Sequence, residues 1–494
     1  MFGFDVSLPY VVLGALTGLT YGLLAVGLVF VFRSSKFINF AQIGIGIVAA
    51  AIAALGITRF QVPYWIGFVG CLIIGAALAV FVERFVVRKL DGTPKILAMV
   101  ATLGVGEALI LASLAINDTS GGEYPQPPGM PEFNIGPLFV SQSASAIAIL
   151  GPILILCLGV FLQRSRYGLA IRAASDNSDA AASSGIAPLG MSGISWGIAG
   201  GIAAFSTLLI LPSRGTLTPE LLGPELLLRG LAAAALAGFL RLPTALAAGI
   251  GIGVIEQILR TRPGTGGWIE ILLFGLILLG IALQTRRVGT REPPDKWEGV
   301  TMDVRQPPAY EKLWLVRNLG WLLATVSFVG LAALPLIIDN RTSFIATTVM
   351  CFGIVGLSVG LLTGYAGQLS LAQFAYGGVA AAVSIYVVNA TGVFFAGIVA
   401  GAVVASVLSV LVGLPAIRVQ GLLLAVGTLG FALVVTSWLL RQDFMLGRGV
   451  VPPQPVIGSW VVDTPREYFV VALAALAFAL WLVRNVRRGL LGRR

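Results

Sequence analysis

The feature that most constrains this chain is its succession of long apolar runs, separated only by short basic or polar segments. A helix needs about 20 apolar residues to cross a hydrocarbon core of ~30 Å. About fifteen such runs are predicted, near residues 8–32, 37–57, 63–83, 96–116, 144–163, 190–211, 221–240, 242–259 and 267–284, then 316–337, 344–362, 370–391, 394–414, 421–440 and 467–483. Only 11% of the 494 residues are charged and 57% are hydrophobic, whereas a soluble domain carries about 25% charged residues. Too few polar side chains remain to clothe soluble domains. The 62 glycines suit helices whose backbones approach closely inside a membrane. The expected fold is all-α, a polytopic transmembrane helix bundle.

Residue usage excludes several chemistries. The chain has 0 histidines, so histidine-based acid/base catalysis, Ser-His-Asp triads and histidine metal sites cannot form within it. Cys71, Cys157 and Cys351 are isolated in apolar runs and read as buried small hydrophobes rather than a metal site. No lysine among Lys36, Lys89, Lys95, Lys296 and Lys312 completes a phosphate-binding GxxxxGK[ST] loop. The expectation is a non-enzyme that binds no metal or cofactor. The net charge of +10 does not imply nucleic acid, because the basic residues cluster between apolar runs as the positive-inside rule requires of cytoplasmic loops.

Sidedness follows from those clusters. Arg33 and Lys36 follow the first run, Arg84, Arg88, Lys89 and Lys95 the third, and Arg164, Arg166 and Arg172 the fifth. An external N-terminus places all three clusters in the cytoplasm, together with Arg484, Arg487, Arg488, Arg493 and Arg494 near the C-terminus. Met1–Tyr10 lacks the basic n-region of a secretory signal, so the first run is expected to be retained. Thr285–Asn318 is a long polar interruption of mixed charge with Pro293-Pro294 and Pro307-Pro308. It reads as a solvated linker, with a docking surface as the alternative.

Two halves share a pattern. Ile38-Asn39-Phe40-Ala41-Gln42 and the small-residue run after it match Leu369-Ser370-Leu371-Ala372-Gln373 and its own run. Ala101-Thr102-Leu103-Gly104 matches Gly427-Thr428-Leu429-Gly430, and Arg164–Leu169 resembles Arg484–Leu490. Alanine- and glycine-rich segments match easily by chance, so the common order carries the argument. Both copies have the same expected sidedness, a parallel repeat as in transporters related by an axis along the membrane normal. The expected domains are 1–285, a linker at 286–317 and a shorter second half at 318–494, which stops soon after Gly489.

The polar loop Arg164–Pro188 carries Arg164, Arg166, Gly168, Arg172, Asp176, Asp179 and Gly185. The two aspartates sit near the start of an alanine-rich helical patch that Gly185 can end. A short helix at the membrane edge suits docking to a soluble partner, and an ordinary cytoplasmic loop would read the same. Gln42, Gln373, Thr102 and Thr428, at equivalent repeat positions, could line a route for a zwitterion or bond neighbouring helices. Tyr365, flanked by Gly364 and Gly367, marks a helix break that suits either ligand binding or a tight turn. Glu107 and Glu256 are candidates for intramembrane charge, unless Arg229 or Arg260 pairs with the latter. Gly14, Gly18 and Gly22, and likewise Gly249 and Gly253, form small-residue packing stripes.

The run Arg-x-Arg-x-Gly-x-Ala-x-Arg-Ala from Arg164 to Ala173, followed by Asp176, small residues and Gly185-Ile186, resembles the coupling loop of ATP-binding-cassette importer permeases. It is most similar to the H-type permease of branched-chain amino acid (Liv-type) importers, as is Arg33-Ser34-Ser35-Lys36-Phe37-Ile38-Asn39-Phe40-Ala41. Leu362-Thr363-Gly364-Tyr365-Ala366-Gly367-Gln368-Leu369-Ser370-Leu371 resembles the M-type permease, as does Arg418-Val419-Gln420-Gly421 with Thr428-Leu429. The resemblance implies a fused H–M permease of the bacterial inner membrane that moves branched-chain or related small amino acids by alternating access. It implies cytoplasmic cassette ATPases that use the ATP, and a periplasmic or lipid-anchored binding protein. The M half is expected to end where its own coupling loop should begin. Similar permeases carry urea or short amides, and a proton-coupled secondary transporter using Glu107 or Glu256 is the competing class.

Overall fold

In this computed structural model the described residues are 8–117, 124–135, 138–214, 219–261, 267–287, 314–417, 422–447 and 449–488. The chain is a polytopic helical bundle with very little sheet. Most of the expected linker, 288–313, lies outside the described residues, as do 418–421 and the residues after 488.

The helices of the first half are α1 (Leu8–Ser35), α2 (Gln42–Thr58), α3 (Tyr64–Val82), α4 (Lys95–Asn117), α5 (Gln142–Arg164), α6 (Arg166–Asp176), α7 (Ser178–Ser183), α8 (Pro188–Ile210), α9 (Pro219–Leu236), α10 (Leu242–Arg260) and α11 (Trp268–Arg287). Those of the second are α12 (Trp314–Ile337), α13 (Asn340–Tyr365), α14 (Gln373–Thr391), α15 (Phe394–Ile417), α16 (Leu422–Ser437) and α17 (Pro465–Arg488). Every expected apolar run has a helix. Among the described residues, 11 helices are long and apolar enough to cross a membrane, and α2, α11 and α12 carry shorter apolar segments. α9 is the other helix on a predicted run.

By internal contacts the chain divides into residues 1–290 with 429–438, and residues 291–428 with 439–494. In the first unit α1 is central, packed by α10, α8, α9 and α5. Residues 18–31 of α1 are all buried, so the helix is apolar on every side and has no polar face to show. α3 instead buries one stripe, Tyr64, Phe68, Cys71, Gly75, Ala79 and Val82, against α8. Its other side exposes Ile66, Val69 and Ile73, which a hydrocarbon solvent tolerates as water would not. The two glycine stripes meet: a Cβ on Gly14 would lie 2.7 Å from the Val254 Cα, and one on Gly18 would lie 2.6 Å from the Ile250 carbonyl oxygen. Of the cysteines, Cys71 is buried while Cys157 and Cys351 are exposed. Their apolar surroundings reflect the outer face of the bundle, not its interior.

In the second unit α14 packs along α15, and α13 along α17. Met350, Phe469, Ala472 and Leu473 form its buried cluster between α13 and α17. The order of elements repeats. α1–α4, an antiparallel hairpin (β1, Phe133–Ile135, and β2, Leu138–Val140) and α5 are echoed by α13–α16, a second hairpin (β3, Val456–Ile457, and β4, Trp460–Val461) and α17. The short hairpins give no periodic signal in the sequence.

Candidate functional site

Both halves contain the same interruption inside an apolar setting. After α1, residues Phe37–Ala41 are buried but not helical, and α2 starts only at Gln42. Backbone N–H groups cannot be left unpaired at such depth. Side chains take the place of the missing helical bonds. Ala41 N–H donates to Asn39 Oδ1 at 3.0 Å, and Phe40 N–H donates to Thr102 Oγ1 on α4 at 3.3 Å. The Thr102 hydroxyl donates in turn to the Met99 carbonyl at 2.9 Å.

The second copy uses the equivalent atoms. Before α14, Leu371 N–H donates to Thr428 Oγ1 of α16 at 3.0 Å, and Ala372 N–H to Ser370 Oγ at 3.4 Å. The Thr428 hydroxyl donates back to the Leu424 and Ala425 carbonyls. The threonines at matching repeat positions are thus joints between helices in both halves. Asn39 and Ser370, which the sequence marks only as members of the repeat, are the caps of the two breaks. The signal was their position three residues before each glutamine, where a cap can reach the next N–H.

Gln42 and Gln373 begin the two helices. Gln42 is fully buried, its Nε2 donates to the Leu24 carbonyl at 3.1 Å, and it rests against Gly27 of α1. The Oε1 atoms of both glutamines are buried with no hydrogen-bond partner among the described residues. α13 ends at Tyr365 and the chain turns through Gly367 at φ 62°, a left-handed conformation that favours glycine. The Tyr365 side chain lies outside the described residues.

The expected docking patch is two helices rather than one. Ser165 caps α6, its Oγ accepting from Gly168 N–H at 2.8 Å. Gly168 lies directly on the Phe161 and Leu162 backbone, where a Cβ would collide. This packing folds α6 tightly back against the end of α5. Asp176 closes α6. Asn177 then starts α7, its Oδ1 accepting from Asp179 N–H at 3.1 Å and Ala180 N–H at 3.0 Å. Asp179 sits in the first turn of α7, where the helix dipole favours an acid. Gly185, at φ 83°, ends α7 with Ile186 N–H bonded to the Ala181 carbonyl at 3.0 Å, a Schellman closure. Arg164, Arg166, Asp176 and Asp179 are exposed and Arg172 is half-buried.

This patch is tied to the α1–α2 break. Lys36, at φ 58°, sends Nζ to the Ser175 carbonyl at 2.9 Å, and Arg33 lies 3.6 Å from Asp176. Trp196 Nε1 donates to Ser35 Oγ at 2.9 Å. The charge candidates separate. Glu256 is 3% exposed and engaged by Arg229 and Arg260, whereas Glu107 lies on the exposed side of α4.

The family model described as branched-chain amino acid transport system / permease component matches residues 10–282 and again 341–494. The chain belongs to this family. It is an ABC importer permease with two copies of the permease domain, and a multi-pass protein of the bacterial inner membrane. It is 25% identical over 284 residues to the high-affinity branched-chain amino acid transport system permease protein BraD of Pseudomonas aeruginosa, covering 55% of this chain and 92% of that protein. It is 26% identical over 284 residues to the LivH permease protein of Salmonella typhimurium, covering 54% and 90%. No solved structure matches the chain.

Proposed function

We propose that this permease moves branched-chain or related small amino acids inward by alternating access. Cytoplasmic cassette ATPases would push on α6–α7, and a periplasmic or lipid-anchored binding protein would deliver the solute. The N-terminus would lie outside and the C-terminus in the cytoplasm, and the chain itself would bind no cofactor, the ATP being used by its partners. The observation that carries the reading is the built platform of α6 and α7. Ile171 and Ala181 are buried against the bundle while Tyr167 and Leu169 stand exposed among Arg164, Arg166, Asp176 and Asp179. Mixed apolar and charged exposure on a rigid hairpin fits a protein partner.

The route would run past the repeated break. Within each half, the glutamine that opens the helix after the break, Gln42 or Gln373, has a buried Oε1 without a hydrogen-bond partner among the described residues and so suits a zwitterion without a fixed charge, while Thr102 or Thr428 holds the break in shape. The bonds from Lys36 and Arg33 to the end of α6 would carry a push on the platform to the start of α2.

Charge reversal at Arg164, Arg166 and Asp179 should abolish ATPase co-purification while the permease stays monodisperse. Co-purification at wild-type yield would refute the platform. Leucine uptake by proteoliposomes holding the full complex should require ATP. Uptake driven by a pH gradient without ATPase would favour a proton-coupled carrier using Glu107, and transport of urea in place of leucine would move the substrate class to short amides.

A further inference from the structure

Behind α6 the structure holds a cavity of about 350 Å³ between the ends of α1, α5 and α10. Its walls are mostly apolar, with Phe30, Leu158, Leu162 and Leu246 among them, and its polar side chains are Arg33, Gln163, Arg172 and Ser175, of which Arg33 also faces Asp176 at 3.6 Å. Arg172 Nε is buried with no hydrogen-bond partner among the described residues. Leaving a guanidinium N–H unpaired there is costly. Leu158, Gly159 and Leu246 are half-buried, so the cleft reaches the surface of the bundle.

We propose that this cleft binds one anionic phospholipid. The acyl chain would lie along α5 and α10, and the phosphate would accept from Arg172 and Arg33. The shape decides between a lipid and a free phosphate, because a small anion would leave the apolar walls uncovered. Charge complementarity agrees. Two guanidinium groups and the N-terminus of α10 converge at one end, and basic pockets between helices at the cytoplasmic side hold anionic headgroups. The bound lipid would brace the buried face of α6 from behind, through Ile171, Arg172 and Ser175, and so tune how firmly the platform meets its ATPase. The proposal rests on placing α6 at the cytoplasmic edge. A Ser183→Cys probe in a Cys157→Ser, Cys351→Ser background, labelled by a membrane-impermeant maleimide in vesicles of known orientation, tests that placement by itself.

The lipid site is tested by native mass spectrometry of the purified full chain, titrated with palmitoyl-oleoyl phosphatidylglycerol or the matching phosphatidylcholine. The wild type should retain phosphatidylglycerol in preference. Arg33→Gln with Arg172→Gln should weaken retention by about tenfold or more, as expected for losing charge-assisted hydrogen bonds. Gly159→Trp should weaken it too by filling the acyl groove. A Cβ there meets nothing within 4 Å, so the variant should fold, which its elution profile checks. Unchanged retention in the double arginine variant would overturn the proposal. So would displacement of the lipid by glycerol phosphate together with unchanged binding in Gly159→Trp, which would mark a free-anion site.

Discussion

Arg229 of α9 grips Glu256 of α10 with two parallel hydrogen bonds, Nε to Oε2 at 2.8 Å and Nη2 to Oε1 at 3.0 Å. Arg260 closes on the same carboxylate at 2.8 Å, and the Arg229 guanidinium lies 5.7 Å from the Tyr21 ring centroid on α1. Neutralising the carboxylate leaves a cation that is 1% exposed with only the half-exposed Glu225 carboxylate, 3.5 Å away, as a counter-charge, and breaking a buried pair costs about 3–5 kcal/mol. Glu256→Gln should therefore yield little monodisperse protein. Arg229→Met with Glu256→Leu should recover much of it, because the uncompensated charge is gone. Wild-type thermal stability in Glu256→Gln would contradict this structural role.

The contact of α1 with α10 sets up a comparison within one helix. Gly253 faces Gly18 so closely that a Cβ would strike its backbone, whereas a Cβ on Gly251 meets nothing within 4 Å. Gly253→Ala should lower the midpoint of thermal unfolding by forcing two backbones apart. Gly251→Ala should be neutral or stabilising by up to about 1 kcal/mol, since alanine is the better helix former. Equal shifts in both variants would mean that the two helices do not meet on these stripes.

The helices were legible in the sequence because hydrocarbon demands long apolar runs, and the repeat because Gln42/Gln373 and Thr102/Thr428 recur in order. The direction of individual faces was not. Lipid-facing and protein-facing residues are alike in polarity, so Cys157 looked as interior as Cys71. The stretch that forms α6 and α7 stood out as a run of small and charged residues, but its break at Asn177 did not, because Ser175, Asp176, Asn177, Ser178 and Asp179 offer several adjacent capping residues and no local rule says which one starts the second helix. Lys36 read only as a positive-inside charge. Its bond to Ser175 joins residues too far apart in sequence for any local pattern to pair.

The paired joints predict matched effects in the two halves. Thr102→Val and Thr428→Val each remove the acceptor for a backbone N–H that has no helical partner, at a cost of about 1–3 kcal/mol. Both should lower thermal stability and uptake, and Thr→Ser at either position should restore them because the hydroxyl returns. A valine variant indistinguishable from wild type in both assays would show that water or another group satisfies that N–H.

The link through Lys36 separates coupling from docking. Its amine holds the last turn of α6, where carbonyls favour a cation, while its backbone turns the chain into the segment that Thr102 caps. Lys36→Met keeps the stem and removes the charge. The lysine amine bonds the buried Ser175 rather than an exposed residue of the platform, so the ATPase should still co-purify and hydrolyse ATP. Leucine uptake per ATP hydrolysed should nevertheless fall, since a push on α6 would no longer reach the start of α2 through this bond. Lys36→Arg, which can still donate to the Ser175 carbonyl, should retain most of the ratio. An unchanged ratio in Lys36→Met would show that force passes from α6 by another route, with the packing of Gly168 on Leu162 the next contact to test.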